Sequence, residues 1–343
     1  MAALSRRRGL ALTGTLATLL ALSACTHTSA SSSTTGAKTK SGPAIGDGLS
    51  VVAVGGPLSD PFFGAIDKGA KAAAAQLGAS YDYSAPKDLT NFAADFSQLI
   101  DTAITKKPDV LVVGDFIPSA FDPKIKKAVD AGITVVLYNS GADSWKKVGA
   151  VGFVGENAAA TGQAAGEGLN KAGVKHLVCV NHVPENPVLQ TRCDGAIKGI
   201  KAAGGTGSTL TIPSSQSGDA QSVTQTIKGY LMSHKDVDGV FTLGVGIAAD
   251  AESAVTSVGR PVKVGTTDLS IQVLNDVKAG KLQFAIDQQG WLQTYQAVSI
   301  GITDRVLGMH PVNSLDTSPL VITKDNADKV LKVQQKYGVR GAS

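Results

Sequence analysis

Residues 49–77, LSVVAVGGPLSDPFFGAIDKGAKAAAAQL, place a strand, a loop and a helix in one short span, and the rest of the chain repeats that unit. Positions 50–54 form an unbroken apolar run closed by Gly55, Gly56 and Pro57, as expected of a parallel strand covered on both faces. Asp60 and Pro61 suit the N-cap and first position of a helix, because the carboxylate accepts from a free backbone N–H and proline has none to lose. Phe63, Ile66, Ala70, Ala73, Ala74 and Leu77 recur at helical spacing and form a face that packs on a sheet. Phe62 lies off that stripe. It sits at the carboxyl end of a parallel strand, where open α/β sheets bind ligands, and the alternative is that both phenylalanines are core.

Strand and helix then alternate. Strands are expected at 79–84, 109–113 and 133–138, with helices over 92–103 and 123–131 between them. A break rich in Gly, Asp and Ser at 141–155, with a short strand at 151–154, precedes a helix from Asn157. The alternation resumes with strands at 175–181, 208–212, 239–243, 262–266 and 282–286, and the longest helix covers 291–307. A short strand at 320–323 and a helix at 326–337 close the chain. Strict alternation predicts parallel sheets with right-handed crossovers. The fold expected is α/β, with two similar lobes, each a parallel sheet flanked by helices, and a ligand cleft between them. The late helix would return to the first lobe, giving one lobe from 49–155 plus 289–316 and the other from 156–288 plus 317–343, with a hinge near Glu156, Gln288 and Asp316.

The 343 residues, 43% hydrophobic, can bury a core and are long for one domain. A net charge of +4 with lysines scattered over the expected helices argues against a nucleic-acid partner. Arg6, Arg7 and Arg8, an apolar segment over 9–22 and small residues after it read as a targeting signal, too short to span a bilayer comfortably. Leu22-Ser23-Ala24-Cys25 resembles the lipobox of bacterial lipoproteins, in which the cysteine sulfur carries a diacylglycerol after cleavage. Residues 1–25 are therefore expected to be the signal with its lipid-attachment site Cys25, and 26–48, poor in anything to bury, a flexible tether. Such a protein is exported and held on the outer face of the cytoplasmic membrane, and the arginine run leaves general secretory and twin-arginine routes both open. Cys179 and Cys193 remain. One falls on a strand and the other in the first turns of the helix that packs back on it, so they either form a disulfide or stay as two buried thiols.

Taken together, Asp60-Pro61-Phe62-Phe63, the strand 133–139, Gly155-Glu156-Asn157 with Gly162, and 190–195 (QTRCDG) resemble the type I periplasmic solute-binding proteins of sugar ABC importers, the ribose-binding-like group. The segments 236–241 (DVDGVF), Val264-Gly265 with Asp268, and 279–282 (AGKL) leading to Gln288 extend the likeness over nearly the whole mature chain. The resemblance implies no enzymatic activity and no cofactor. It gives sugar hydrogen bonding to Asp60, Asp268 and Gln288 and ring stacking to Phe62 and Phe63. Carboxylates accept from neighbouring hydroxyls, and the C–H faces of a sugar stack on aromatic rings. The chain departs from the group where an Asp-Arg pair becomes Asn139-Ser140, an arginine becomes Gln190, an asparagine becomes Gly244, and an aromatic near Gly218 is missing. Asn139 and Gln190 remain candidate ligand-binding residues at those positions, and Asp115, Phe116, Glu156, Arg192 and Trp291 are candidate replacements. The implied ligand is a small neutral carbohydrate, an aldose or a sugar alcohol. The implied partner is an ABC permease, and a monomer is expected.

Other chemistries are weaker. Gly244-Val245-Gly246 lacks the third glycine of a dinucleotide loop. His182 and Glu185 have no third metal ligand nearby in sequence and read as a solvated loop. Ser214 and Ser215 show no nucleophile elbow, and Asp236 and Asp238 read as solvated acids flanking a strand. A sugar-responsive transcription regulator would carry a helix-turn-helix where this chain has its signal and tether. A binding protein for an amino-acid-like or autoinducer-like ligand is the nearest alternative, and an exported α/β hydrolase the next.

Overall fold

The computed structural model describes residues 42–88 and 91–341. The signal over 1–25, Cys25 and most of the tether lie outside the described residues. Gly42–Gly48 is described, and there Gly46 N–H donates to the Leu77 carbonyl at 2.7 Å. This turn docks on the end of the first helix.

The first half of the chain runs β1 (Ser50–Val54), α1 (Pro61–Leu77), β2 (Ser80–Ser84), α2 (Phe92–Lys106), β3 (Val110–Val113), α3 (Pro118–Asp130), β4 (Thr134–Asn139), α4 (Trp145–Val148) and β5 (Gly152–Gly155). The second half runs α5 (Ala158–Lys171), β6 (His176–Asn181), α6 (Pro187–Ala202), β7 (Thr206–Thr211), α7 (Ala220–Ser233), β8 (Gly239–Thr242), α8 (Val245–Val258), β9 (Lys263–Thr267), α9 (Ile271–Ala279) and β10 (Leu282–Asp287). Then follow α10 (Gly290–Leu307), β11 (Leu315–Asp316), β12 (Leu320–Ile322) and α11 (Ala327–Tyr337).

Two six-stranded sheets result, ordered β11-β5-β4-β3-β1-β2 and β12-β10-β9-β8-β6-β7. All pairings are parallel except β10 with β12, a departure from the all-parallel expectation. β11 runs with β5 toward the crossing and the chain goes on into the second sheet at the carboxyl end of β10, Leu320 beside Asp287, so β12 meets β10 running the other way. In each sheet the strand order changes direction beside the first strand of the set, β1 or β6, and the carboxyl ends of those strands are where such sheets bind ligands. The chain passes between the sheets three times, at 155–158, 287–290 and 316–320.

The first lobe is packed by rings. Phe96 stacks on Phe121 at 4.8 Å, and Phe116 meets Phe96 at 5.6 Å and Tyr138 at 6.0 Å. Helix α10 closes this lobe against α1. Gly69 admits the backbone carbonyl of Trp291, and Thr294 Oγ1 donates to the Ile66 carbonyl at 2.6 Å. The second lobe has aliphatic clusters instead, with Val240, Ile247 and Leu274 on one side of its sheet and Leu177, Leu189 and Ile200 on the other. A disulfide joins Cys179 on β6 to Cys193 on α6, their Cα atoms 5.4 Å apart. Glycines bring α5 and α6 together: a Cβ on Gly162 would collide with the Arg192 carbonyl, and one on Gly195 with the Ala159 carbonyl.

Three local expectations change. Helix α3 begins at Pro118, five residues before Pro123, because a proline at its first position already satisfies the helix start and Pro123 is absorbed within it. The break before β5 contains α4, a single turn ended by Gly149 in the left-handed region. Asp238 is not a free solvated acid, since its carboxylate accepts from the backbone N–H groups of Lys175 and His176. Among the described residues no helix is long and apolar enough to cross a membrane.

Candidate functional site

The site grows from the loops at the carboxyl ends of β1, β3 and β4 in the first lobe and of β6, β9 and β10 in the second. Asp60 caps α1, accepting from Phe62 N–H at 2.9 Å, with Pro61 in the first turn. That cap fixes where Phe62 and Phe63 stand, their rings 5.3 Å apart and edge-on. Phe63 is nearly buried, belongs to the core and also lines the cleft. Phe116 packs on Phe63 at 5.8 Å and extends the same wall.

Asn139 and Asp268 occupy the left-handed region, at φ 60° and 71°, each at the end of a strand. Asn and Asp tolerate that conformation better than most residues, and the turn it makes is held by the surrounding sheet. Both side chains join a network centred on Gln288. Asn139 Nδ2 donates to Gln288 Oε1 at 2.7 Å, and Gln288 Nε2 donates to Asp268 Oδ1 at 2.5 Å. Arg192 Nη2 donates to Gln288 Oε1 at 2.7 Å, and Arg192 Nε to Glu156 Oε1 at 2.6 Å. Arg192 is 2% exposed and Glu156 3%, so this is a buried ion pair with its remaining donors turned to Gln288. Thr317 Oγ1 donates to the Gln288 carbonyl at 2.8 Å. All three chain crossings therefore meet in one set of hydrogen bonds.

A cavity of about 390 Å³ opens onto this network. Asp60, Phe62, Phe63, Phe116, Asn139, Arg192, Asp268 and Gln288 all line it, which brings eight of the twelve sequence candidates together. Glu156 stands behind Arg192 and holds it. Asp115 lies on the far side of Asn139, where it accepts from Ser144 Oγ and faces a second cavity with Asp122 and Lys147. Gln190 accepts from Asn181 at the end of β6 and donates to Asp194 one turn along its own helix, and it does not line the cavity. Trp291 stacks on Tyr295 at 4.8 Å on α10, away from the cavity.

Several lining residues were not singled out as site residues, among them Phe92, Asn186, Leu189, Leu243 and His182. His182 departs from the solvated-loop reading, because the residue after β6 turns inward at the carboxyl end of its sheet, as Asp268 does after β9. That shared position at a strand end was the available signal. Ser214, whose Oγ donates to Glu185, lines the same cavity from the loop after β7. Among the described residues no group of three His, Cys, Asp or Glu side chains is placed to hold a metal.

Burial sets the electrostatics. It pushes the Asp268 carboxyl up to about 7, against the opposing field of Arg192 and with help from Asp60. Asp60 is raised by burial too, opposed by its bond from Phe62 N–H. His182 falls to about 4 through burial and the neighbouring Arg192 charge, so its imidazole is neutral at physiological pH. The arrangement offers hydroxyl groups acceptors from both lobes, a neutral imidazole and apolar ring faces. The cation present, Arg192, is already paired.

The sequence pattern of the periplasmic binding protein domain matches residues 51–303. A carbohydrate transporter from Acidothermus cellulolyticus, solved in complex with myo-inositol, is 34% identical, with TM-score 0.77 over 85% of this chain and 99% of that one. A periplasmic ribose ABC transporter protein from Conexibacter woesei shares the fold, at 22% identity and TM-score 0.71 over 85% of this chain and 97% of that one. The xylose/arabinose-binding protein XylF of Sulfolobus acidocaldarius is 27% identical over 311 residues, 84% of this chain and 74% of the relative.

Proposed function

The chain belongs to the periplasmic binding protein family, and from that premise we propose that it captures a small neutral carbohydrate, an aldose or a sugar alcohol, and delivers it to the permease of an ABC importer. It is a solute-binding protein rather than an enzyme. The observation that carries the carbohydrate reading is the Gln288 network, which faces acceptors into a cavity walled by Phe62, Phe63 and Phe116. Hydroxyls satisfy the first and sugar C–H faces the second. Arg192 is committed to Glu156, which leaves no free cation among the described residues that line the cavity and disfavours amino acids and sugar acids. The relative solved with myo-inositol supports a cyclic polyol among the candidates.

Binding draws the lobes together about the three crossings, and the closed surface is what the permease meets. The protein works as a monomer at the outer face of the cytoplasmic membrane, held by a diacylglycerol on Cys25 after export. A thermal-shift screen over pentoses, hexoses, inositols and short alditols tests the ligand class. A ligand at a hundred times its Kd adds about 2.7 kcal/mol to the folded state. A screen in which an amino acid stabilises the protein and no polyol does would overturn the reading. The intact mass of detergent-extracted protein tests the anchor, which is refuted if Cys25 is released without added lipid mass.

A further inference from the structure

We propose that His182 is a ligand-recognition residue, supplying from β6 the polar group that Gly244 does not supply from β8. The inference rests on the carbohydrate reading above and deepens it. Strands β6 and β8 are paired neighbours with Val180 opposite Thr242, so the register carried forward two residues sets His182 opposite Gly244 at the cleft. A Cβ built on Gly244 would lie 3.7 Å from His182 Cε1 and 3.9 Å from Nε2. A methyl group fits, and any longer side chain enters the space of the ring. The Gly244 backbone, at φ 174°, is extended and needs no glycine. The small residue there makes room for the imidazole.

The ring is not part of the fold's own bonding. Its Nδ1 is buried without a hydrogen-bond partner, and the ring lines the cavity beside Arg192 and Leu243. Nε2 is not sealed in this way and takes no protein partner, so it is the ring nitrogen open to a ligand hydroxyl. Because the ring is neutral, one nitrogen donates and the other accepts, and a hydroxyl, which does both, can pair with it in either tautomer. The structure thus assigns to His182 the recognition of one ligand hydroxyl at the second-lobe end of the cleft.

The test is calorimetry of the mature protein with myo-inositol, D-xylose, L-arabinose and D-ribose as probes. His182→Ala is expected to weaken the tightest probe about tenfold or more, and His182→Gln to recover part of the loss. Gly244→Asn alone should weaken binding, because amide and imidazole compete for one space, whereas His182→Gly combined with Gly244→Asn should restore it. A ring that was merely structural would lower the melting temperature without changing the order of preference among probes. Imidazole resonances of the wild-type protein, assigned by their loss in His182→Gln, should shift on saturation with the tightest probe. Unmoved resonances, or unchanged affinities and preferences in His182→Ala, overturn the proposal. Failure of every probe to bind the wild-type protein instead overturns the carbohydrate reading, and this assignment with it.

Discussion

In the first lobe the face of the cleft is made of rings, with Phe62, Phe63 and Phe116 backed by Phe96, Phe121 and Tyr138. In the second lobe it is made of His182, Arg192 and Asp268, held by an ion pair, a glutamine and a disulfide one residue from Arg192. The difference is one of physical means. Ring packing is non-directional and shared among many contacts, so the first wall should fail by loosening. Directed polar groups in a low-dielectric site are satisfied or they are costly, so the second wall should fail one group at a time.

The largest effect expected separates the two. Arg192→Met leaves the Glu156 charge buried and unpaired, and should cost about 3–5 kcal/mol of stability with loss of ligand binding. Urea denaturation and calorimetry measure both, and Glu156→Gln in the same background should return part of the stability. Phe116→Ala should cost a similar amount, about 3–5 kcal/mol, by opening a cavity under the first wall. Here affinity and stability should fall together, and a lost affinity with unchanged stability would contradict the shared-packing account.

Next in size is the disulfide. Replacing Cys179 and Cys193 by alanine removes a link that spans 14 positions and should cost about 3 kcal/mol, seen as a lower denaturation midpoint. A variant as stable as the parent would mean that the aliphatic second lobe needs no cross-link to match the ring-packed first.

Asp268 separates affinity from stability. Asp268→Ala should weaken ligand binding by about 2–3 kcal/mol. In the unliganded protein its carboxyl titrates near 7, well above its value in an unfolded chain, so the folded state holds the proton more tightly and loses stability as pH rises from about 4 to 7. Asp268→Asn removes that loss. Its melting temperature should gain on the parent through this window, stay ahead above pH 7 and converge near pH 4. The smallest effect belongs to Gln190→Ala and Trp291→Ala, which lie off the cavity and should change affinity less than about twofold.

The alternation of strands and helices, the cap at Asp60 and the apolar stripe of α1 were all legible in the sequence, because each depends on residues close together in the chain. The side of a partition on which a residue stands was not. Asp115 and Phe116 are neighbours, yet one faces the second cavity and the other the ligand wall, a choice made by Asn139 and Ser144 from elsewhere in the chain. Arg192, named from the sequence as a replacement for the cation missing at Gln190, lines the cavity where Gln190 does not, and the close packing of Gly162 on the Arg192 carbonyl sets how α6 sits on α5. Nothing local to residue 192 records that contact. His182 escaped for the same reason, since its meaning depends on a glycine two strands away in sequence.

The return of α10 and β11 to the first sheet has a consequence for biogenesis. Their residues, 290–316, are synthesised only after the strands β6 to β10 of the second sheet, so the first lobe lacks its packing helix and its edge strand until then. A chain emerging from the ribosome therefore exposes the apolar flank of α1 until α10 has followed it. Such delay keeps the first lobe open and threadable while the second is being made.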